Sequence, residues 1–325
     1  MSARVLVVGG AGYIGSVCSA VLKQNGFEVE CFDDLSTGHI EAVQGRLHQG
    51  DIRDRPYMTK VLKEGHFDAV MHFAAKSLVG ESVAHPLRYY DVNVGGTSSL
   101  LQAMQEACVN TMVFSSTCAI YGEPEYLPLD ENHPQNPVSP YGASKKMVEE
   151  ILAGCREKEG LKVTTLRYFN AAGCMPDGSL GESHKTETHL IPLAIAAALG
   201  HRPPLSLFGT DYDTRDGTCI RDYINVLDLA DAHVRALNQL LNGDSGNSYN
   251  VGTGVGTTVK EVLEAIGRNL GTEVPHSVAN RRAGDPPALF ARADNIQTAL
   301  GWSPKWTDID AIVSTAAKWA KAPKF

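Results

Sequence analysis

This chain has no lysine and arginine stripe, no repeat, no low-complexity tract and no apolar run long enough to span a bilayer. Its net charge of -8 gives nucleic acid no attractive surface, and the missing apolar run excludes a membrane-spanning helix. Seven cysteines, at 18, 31, 108, 118, 155, 174 and 219, are odd in number and unclustered. They suit neither a disulfide framework nor a metal-ligand spacing, and read as reduced thiols of a cytoplasmic protein. The eleven histidines are scattered, so no metal site is expected. A strand beginning at Arg4 leaves no room for a leader, and none is expected. What is present suits a soluble enzyme: 325 residues, 43% hydrophobic and 20% charged, enough for two lobes.

Strands and helices alternate through the first half. Arg4 to Val8, Glu28 to Phe32, Ala69 to Phe73, Thr111 to Ser115 and Lys162 to Phe169 read as strands. A long helical pattern fills roughly Pro86 to Cys108. This alternation predicts an α/β fold, a doubly wound parallel (Rossmann) sheet with a smaller C-terminal α+β lobe. Residues 1–175 form the expected nucleotide-binding domain, and 176–325 the substrate-binding domain. Part of 217–245 is expected to return to the first lobe, and a helix is expected near Leu190 to Leu199.

The first strand runs into Gly9-Gly10-Ala11-Gly12-Tyr13-Ile14-Gly15 and then a helical stretch. Glycines at that junction permit a tight turn and close backbone approach, and the following helix offers free N–H groups to a pyrophosphate. Asp33 ends the next strand, near the ~20-residue spacing at which a carboxylate accepts both ribose hydroxyls. It would repel a 2′-phosphate, and no arginine lies between Asp33 and Thr37, so NAD is favoured over NADP.

Farther on, Ser139-Pro140-Tyr141-Gly142-Ala143-Ser144-Lys145 opens another helix. Residues i and i+4 share a helix face, which sets a phenol beside an ammonium. A nearby cation favours the phenolate and lowers a pKa that starts near ~10, giving a base able to deprotonate an alcohol. Ligands of such sheets bind beyond the carboxyl ends of the strands, where Phe73-Ala74-Ala75, Ser115-Ser116-Thr117 and Phe169-Asn170 are expected to converge.

Gly9-x-x-Gly12-x-x-Gly15, His72-Phe73-Ala74-Ala75, Ser115-Ser116-Thr117, Tyr141-x-x-x-Lys145, Arg167-Tyr168-Phe169-Asn170 and Arg221-Asp222-Tyr223 occur in that order. Together they resemble the extended short-chain dehydrogenase/reductases that act on nucleotide sugars, and within that group the UDP-hexose 4-epimerases. Val79-Gly80-Glu81-Ser82, Arg281-Arg282-x-Gly284-Asp285 and Gly301-Trp302 extend the likeness to nearly the whole chain.

The resemblance implies reversible C4 epimerisation of UDP-galactose and UDP-glucose on tightly bound NAD, in a homodimer. It implies catalytic roles for Tyr141, Lys145 and Thr117, which also contact cofactor, and Thr117 and Tyr141 contact substrate. Further cofactor contacts implied are Gly9, Gly12, Tyr13, Ile14, Gly15, Asp33, Asp34, Leu35, Ser36, Asp51, Ile52, Phe73, Ala74, Ala75, Ser77, Asn93 and Phe169. Ser77 departs from relatives that carry a lysine there; Lys76, one place earlier, is given no role. Substrate contacts implied are Asn170, His189, Leu190, Leu207, Phe208, Arg221, Tyr223, Arg282, Asp285 and Leu289. Leucine at 289, where the family can carry a bulkier tyrosine, implies room for an N-acetyl group. Epimerisation of UDP-xylose to UDP-arabinose stays open as an alternative. A 4,6-dehydratase is disfavoured because Thr117 is followed by Cys118-Ala119 rather than an acid pair, and a non-catalytic NAD sensor because Thr117, Tyr141 and Lys145 are all kept.

Overall fold

The computed structural model describes residues 2–282 and 284–325. The strands of the first half are β1 Arg4–Val8, β2 Glu28–Asp33, β3 Arg46–Gln49, β4 Ala69–His72, β5 Thr111–Thr117 and β6 Lys162–Tyr168. Then come β7 Asn170–Ala172, β8 Leu205–Phe208, β9 Ile220–Asn225, β10 Ser248–Val251, β11 Gly256–Thr258, β12 His276–Ala279 and β13 Ala288–Leu289. Helices are α1 Tyr13–Gln24, α2 Arg55–Gly65, α3 Val79–Ala84, α4 Pro86–Tyr89, α5 Gly96–Glu106 and α6 Pro140–Glu159. The later ones are α7 Leu190–Ala198, α8 Val226–Leu241, α9 Val259–Leu270, α10 Asp294–Leu300 and α11 Ile309–Lys321.

Seven parallel strands form the main sheet in the order β10-β6-β5-β4-β1-β2-β3. Both faces are covered, so the central strands β1 and β4 are near-continuous buried apolar runs rather than alternating, while edge strand β3 stays polar. Val5 and Val7 point to the face packed by Leu22 of α1 and by Leu229, Leu237 and Leu240 of α8. Leu6 and Val8 point to the other, with Met58 and Leu62 of α2, Leu100 and Met104 of α5, and Val148 and Leu152 of α6. The sheet reverses order between β1 and β4, which leaves a crevice at the carboxyl ends.

Two features depart from the expected layout. The strand β10 completes the first sheet although it lies beyond residue 245. The Pro86 to Cys108 stretch is not one helix: α4 passes into a wider π-turn over Tyr90–Gly95 before α5 begins. That widening places the buried Asn93, and such π-turns concentrate at functional sites.

The second lobe packs α7, α9 and α11 around Ile191, Ile195, Val262, Ile266, Ile312 and Val313. Strand β9 is its centre, paired with β7, β11 and β13. Because β7 follows directly on β6, the crevice of the main sheet opens onto this lobe.

Candidate active site

Gly9 ends β1 with a φ of 88°, a conformation only glycine adopts freely, and a Cβ there would lie 2.5 Å from the Ala74 nitrogen. A Cβ on Gly15 would lie 2.1 Å from the Gly9 oxygen, so α1 sits hard against the loop. Gly12, the N-cap of α1, has no side-chain cap, and its nearest neighbour to a Cβ is the Gly9 oxygen at 3.5 Å. The uncapped N–H groups therefore face open space, with the helix dipole favouring an anion. Tyr13 donates to the Gly173 oxygen at 2.6 Å, while Ile14 packs into the core.

Asp33 is buried at the end of β2 and accepts from the Ala11 nitrogen at 3.0 Å and the Leu35 nitrogen at 2.9 Å. Burial raises its pKa, those two bonds opposing it, so its carboxylate is fixed beside the glycine loop. Leu35 is held at a φ of 57°, a strained value for a non-glycine residue. Asp34 takes the Ser36 nitrogen at 2.8 Å, and the Lys76 ammonium reaches the Ser36 hydroxyl at 3.3 Å. Lys76, given no role from the sequence, thus stands beside the expected nucleotide. Asp51 is tied to Arg53, whose hydrogen bond lowers its pKa, and Ile52 is a buried wall.

Glycine cradle, free helix end and fixed carboxylate fit a dinucleotide. Phe73 and Ala74 share the Val8 oxygen at 2.7 and 3.0 Å, bringing them and Ala75 over the loop. Ser77 is exposed. Asn93 commits its side chain to the protein: Oδ1 accepts from the Lys76 nitrogen, and Nδ2 donates to the Lys76 oxygen and to the Ser144 hydroxyl. It braces the wall of the crevice against α6. Phe169 packs with Ile120, Tyr121 and Leu129 under the site.

The N-cap Ser139, which accepts from the Gly142 nitrogen, and Pro140 start α6 and set Tyr141 in its first turn. Thr117 ends β5, its hydroxyl accepting from the Ala119 nitrogen at 3.1 Å. It stands beside the Tyr141 phenol and draws the phenol's pKa down. Burial outweighs it and pushes Tyr141 up to about 12. The expected lowering by Lys145 is therefore not seen in the protein alone. The reason is geometric: the Lys145 ammonium turns to the Ser115 oxygen at 2.7 Å and lies 4.7 Å from the Phe114 ring centre. Burial also brings Lys145 down to about 7, so it is a weak cation.

Below this pair, Glu149 continues the same helix face. It accepts from Ser116 at 2.5 Å and takes Arg167 through both carboxylate oxygens, both partners being buried. Arg167 goes on to the Tyr121 hydroxyl, and Tyr121 to Asn250 of β10. Sequence reading missed Glu149 and Ser144; their i+8 and i+3 offsets from Tyr141 on one helix were the available signal.

On the substrate side, Asn170, His189, Leu190 and Tyr223 line one cavity, together with Glu182. Asn170 donates to the Asp222 oxygen at 3.2 Å, in register with Tyr223 across β7 and β9. Arg221 and Asp285 form an ion pair with each other, and Leu289 lies in register with Arg221. The Arg282 guanidinium is 4.6 Å from the ring centre of Phe208, an exposed side chain. Leu207 is buried on the opposite face of β8 from Phe208, so its side chain cannot share a ligand with that ring. His189 occupies the N-cap position of α7 with its side chain turned to Glu182 at 2.5 Å rather than to the helix. Burial alone would lower its pKa; hydrogen bonds to Glu182 and Glu187 outweigh that and raise it to about 10.

Residues 5–252 match the NAD dependent epimerase/dehydratase family. The chain is 51% identical over 317 residues to the UDP-glucose 4-epimerase of Rhizobium meliloti (strain 1021), covering 97% of this chain and 96% of that one. Among solved structures it is similar to the UDP-glucose 4-epimerase of Brucella ovis in complex with NAD, at TM-score 0.95 and 47% identity over 97% of this chain and 98% of that one. The UDP-Glc/GlcNAc 4-epimerase of Campylobacter jejuni is similar at TM-score 0.87 and 39% identity, over 98% and 99% of the two chains. The chain belongs to the NAD dependent epimerase/dehydratase family.

Proposed function

We propose that this chain interconverts UDP-galactose and UDP-glucose by inverting carbon 4 of the sugar. The observation that carries this reading is the placement of Thr117, at the end of β5, and Tyr141, in the first turn of α6, at one carboxyl edge of the sheet. There α6 packs against the turn after Thr117 so closely that a Cβ on Gly142 would lie 2.4 Å from the Ala119 oxygen. The glycine cradle stands on one side of them and the Asn170–Tyr223 cavity on the other.

The glycine loop, Asp33 and the α1 N-terminus would hold NAD, whose nicotinamide supplies a two-electron acceptor that takes and returns a hydride. Tyr141 takes the proton of the sugar 4-hydroxyl as C4 loses its hydride and becomes a ketone. Thr117 hydrogen-bonds the same oxygen and stabilises its developing charge. Lys145, anchored on the Ser115 oxygen, would keep an ammonium donor at this edge to hold the nicotinamide ribose. Turning of the 4-keto sugar exposes its other face, and return of the proton from Tyr141 and of the hydride to C4 gives the epimer.

Arg221 and Arg282 supply positive charge for the diphosphate, which requires Arg221 to loosen its pairing with Asp285. Asp285 then faces the uridine ribose, with Leu190 and Phe208 beside the base. In this division of labour 1–175, with part of 217–245, serves the cofactor and 176–325 the UDP-sugar. The free state of all seven cysteines suits the cytoplasm. A second copy would cover the exposed Val79, Val83 and Leu87 of α3 and α4 and Met147 of neighbouring α6, making a homodimer. The reading is tested by incubating purified protein with UDP-galactose without added NAD. UDP-glucose should form, and Tyr141→Phe should abolish it; no conversion by the wild type even with NAD supplied would refute it.

A further inference from the structure

A group of four donors lies outside the reacting centre, in the loop that leads into α7. Its sequence is Glu182-Ser183-His184-Lys185-Thr186-Glu187-Thr188-His189. Nδ1 of both histidines and a carboxylate oxygen of both glutamates lie within 4.8 Å of one another. We propose that Glu182, His184, Glu187 and His189 bind one divalent transition-metal ion of the zinc class at the mouth of the substrate cavity.

The geometry favours one centre over two separate ion pairs. Each imidazole approaches both carboxylates: His184 lies 3.6 Å from Glu182 and 3.1 Å from Glu187, and His189 lies 2.5 Å from Glu182 and 3.3 Å from Glu187. A single N–H donates well to one acceptor, so two independent pairs need only two of these approaches. Four ligands on zinc at ~2.0–2.1 Å in a tetrahedron stand roughly 3.3 Å apart. Three of the four contacts are 3.1, 3.3 and 3.6 Å, and the 2.5 Å His189–Glu182 contact would open as an ion replaces its proton.

Charge points the same way. The Glu182 side chain is only 7% exposed, and among the described residues its ionic partners are the two histidines alone. Two carboxylates meeting at one point exceed the single charge of a protonated imidazole, and a divalent ion taking the place of that proton would neutralise both glutamates together. Contacts from outside the group fix its donors. The Trp319 indole donates to the Glu182 backbone carbonyl at 2.8 Å, which holds the loop, and the Thr188 and His189 backbone N–H groups donate to Glu187 Oε1 at 2.7 and 2.8 Å. The cavity lined by Glu182 and His189 gives an ion its way in.

Since Asn170 and Tyr223 line the same cavity, an ion here would tie the loop to α7 and set a positive charge beside the substrate. Binding itself does not depend on the epimerase reading.

The test uses the full chain, stripped with chelator, equilibrated with zinc at pH 7.5, desalted and assayed for metal by mass spectrometry. One zinc per chain is expected for wild type, and at least a tenfold loss of retention for His184→Ala and for Glu187→Gln. His184→Cys should restore retention and give its cobalt-loaded form a thiolate charge-transfer band that cobalt-loaded wild type lacks. Circular dichroism checks that each variant is folded. Failure of wild type to retain zinc overturns the proposal. Unchanged retention in folded His184→Ala and Glu187→Gln also overturns it, by placing the metal elsewhere, as on the cysteines.

Discussion

Lys145 holds its ammonium 2.7 Å from the carbonyl oxygen of Ser115, on the strand that ends in Thr117. Ammonium, threonine hydroxyl and phenol are thereby fixed to one sheet edge, although no Lys145–Tyr141 hydrogen bond is formed. The base is stored in its protonated form, with Tyr141 pushed up to about 12 by burial. A positively charged ligand bound beside the phenol must lower that value for the base to act near neutral pH. Saturating the protein with NAD should therefore move the Tyr141 titration downward, read as phenolate absorbance in wild type minus Tyr141→Phe.

Removing the proton acceptor should be far more damaging than reshaping the pocket. Tyr141→Phe keeps the ring and loses the proton, and kcat should fall by about 10²–10⁴-fold with KM little changed. Thr117→Val should act in the same direction, since it removes the hydroxyl that both caps the strand end and faces the phenol.

Lys145 also carries a stability signature. Its folded pKa is brought down to about 7 by burial, so between that value and ~10.4 the unfolded chain binds the extra proton. Stability must then rise with pH across this window, by at most about 1.4 kcal/mol per pH unit, and the benefit is absent below it. Urea unfolding of wild type and Lys145→Met from pH 7 to 9.5 should show wild type gaining relative to the variant. Parallel curves would contradict the assignment.

The Glu149–Arg167 pair anchors the helix that carries Tyr141 to strand β6. Glu149→Gln leaves a buried guanidinium uncompensated and should cost about 3–5 kcal/mol. Replacing both partners with apolar residues of similar volume should cost clearly less, measured by urea unfolding.

Much of this was legible in the chain. The buried run before Gly9, the carboxylate at Asp33 and the Tyr141–Lys145 offset each express a local rule, and local rules survive folding. Less visible was everything decided by contacts distant in sequence. Strand β10 joins the first sheet through pairing with β6, which no local pattern announces. Tyr141 shows the same limit in electrostatics: spacing gives the neighbouring ammonium, but burial, which sets the sign of the shift, is a tertiary property. Leu207 and Phe208 differ only by the alternation of a short strand, so adjacency in sequence separated them onto opposite faces.

Pocket size at Leu289 makes a substrate prediction. Leu289 is partly buried on β13, beside Arg221 and against the cluster around Phe169. Leu289→Tyr should lower kcat/KM for UDP-N-acetylglucosamine by roughly tenfold or more while leaving UDP-glucose within a few-fold. Equal turnover of the acetylated sugar by both proteins would show that this position does not set the pocket.

The most direct test of the central claim follows the hydrogen on carbon 4. UDP-galactose deuterated at C4 is converted in ordinary water, and the product is analysed by mass spectrometry and proton magnetic resonance. Removal and return of the same hydride predicts UDP-glucose with deuterium fully retained at C4. Loss of the label to solvent would contradict the account, because it would mean that C4 exchanges a proton and that Tyr141 is not serving an oxidation.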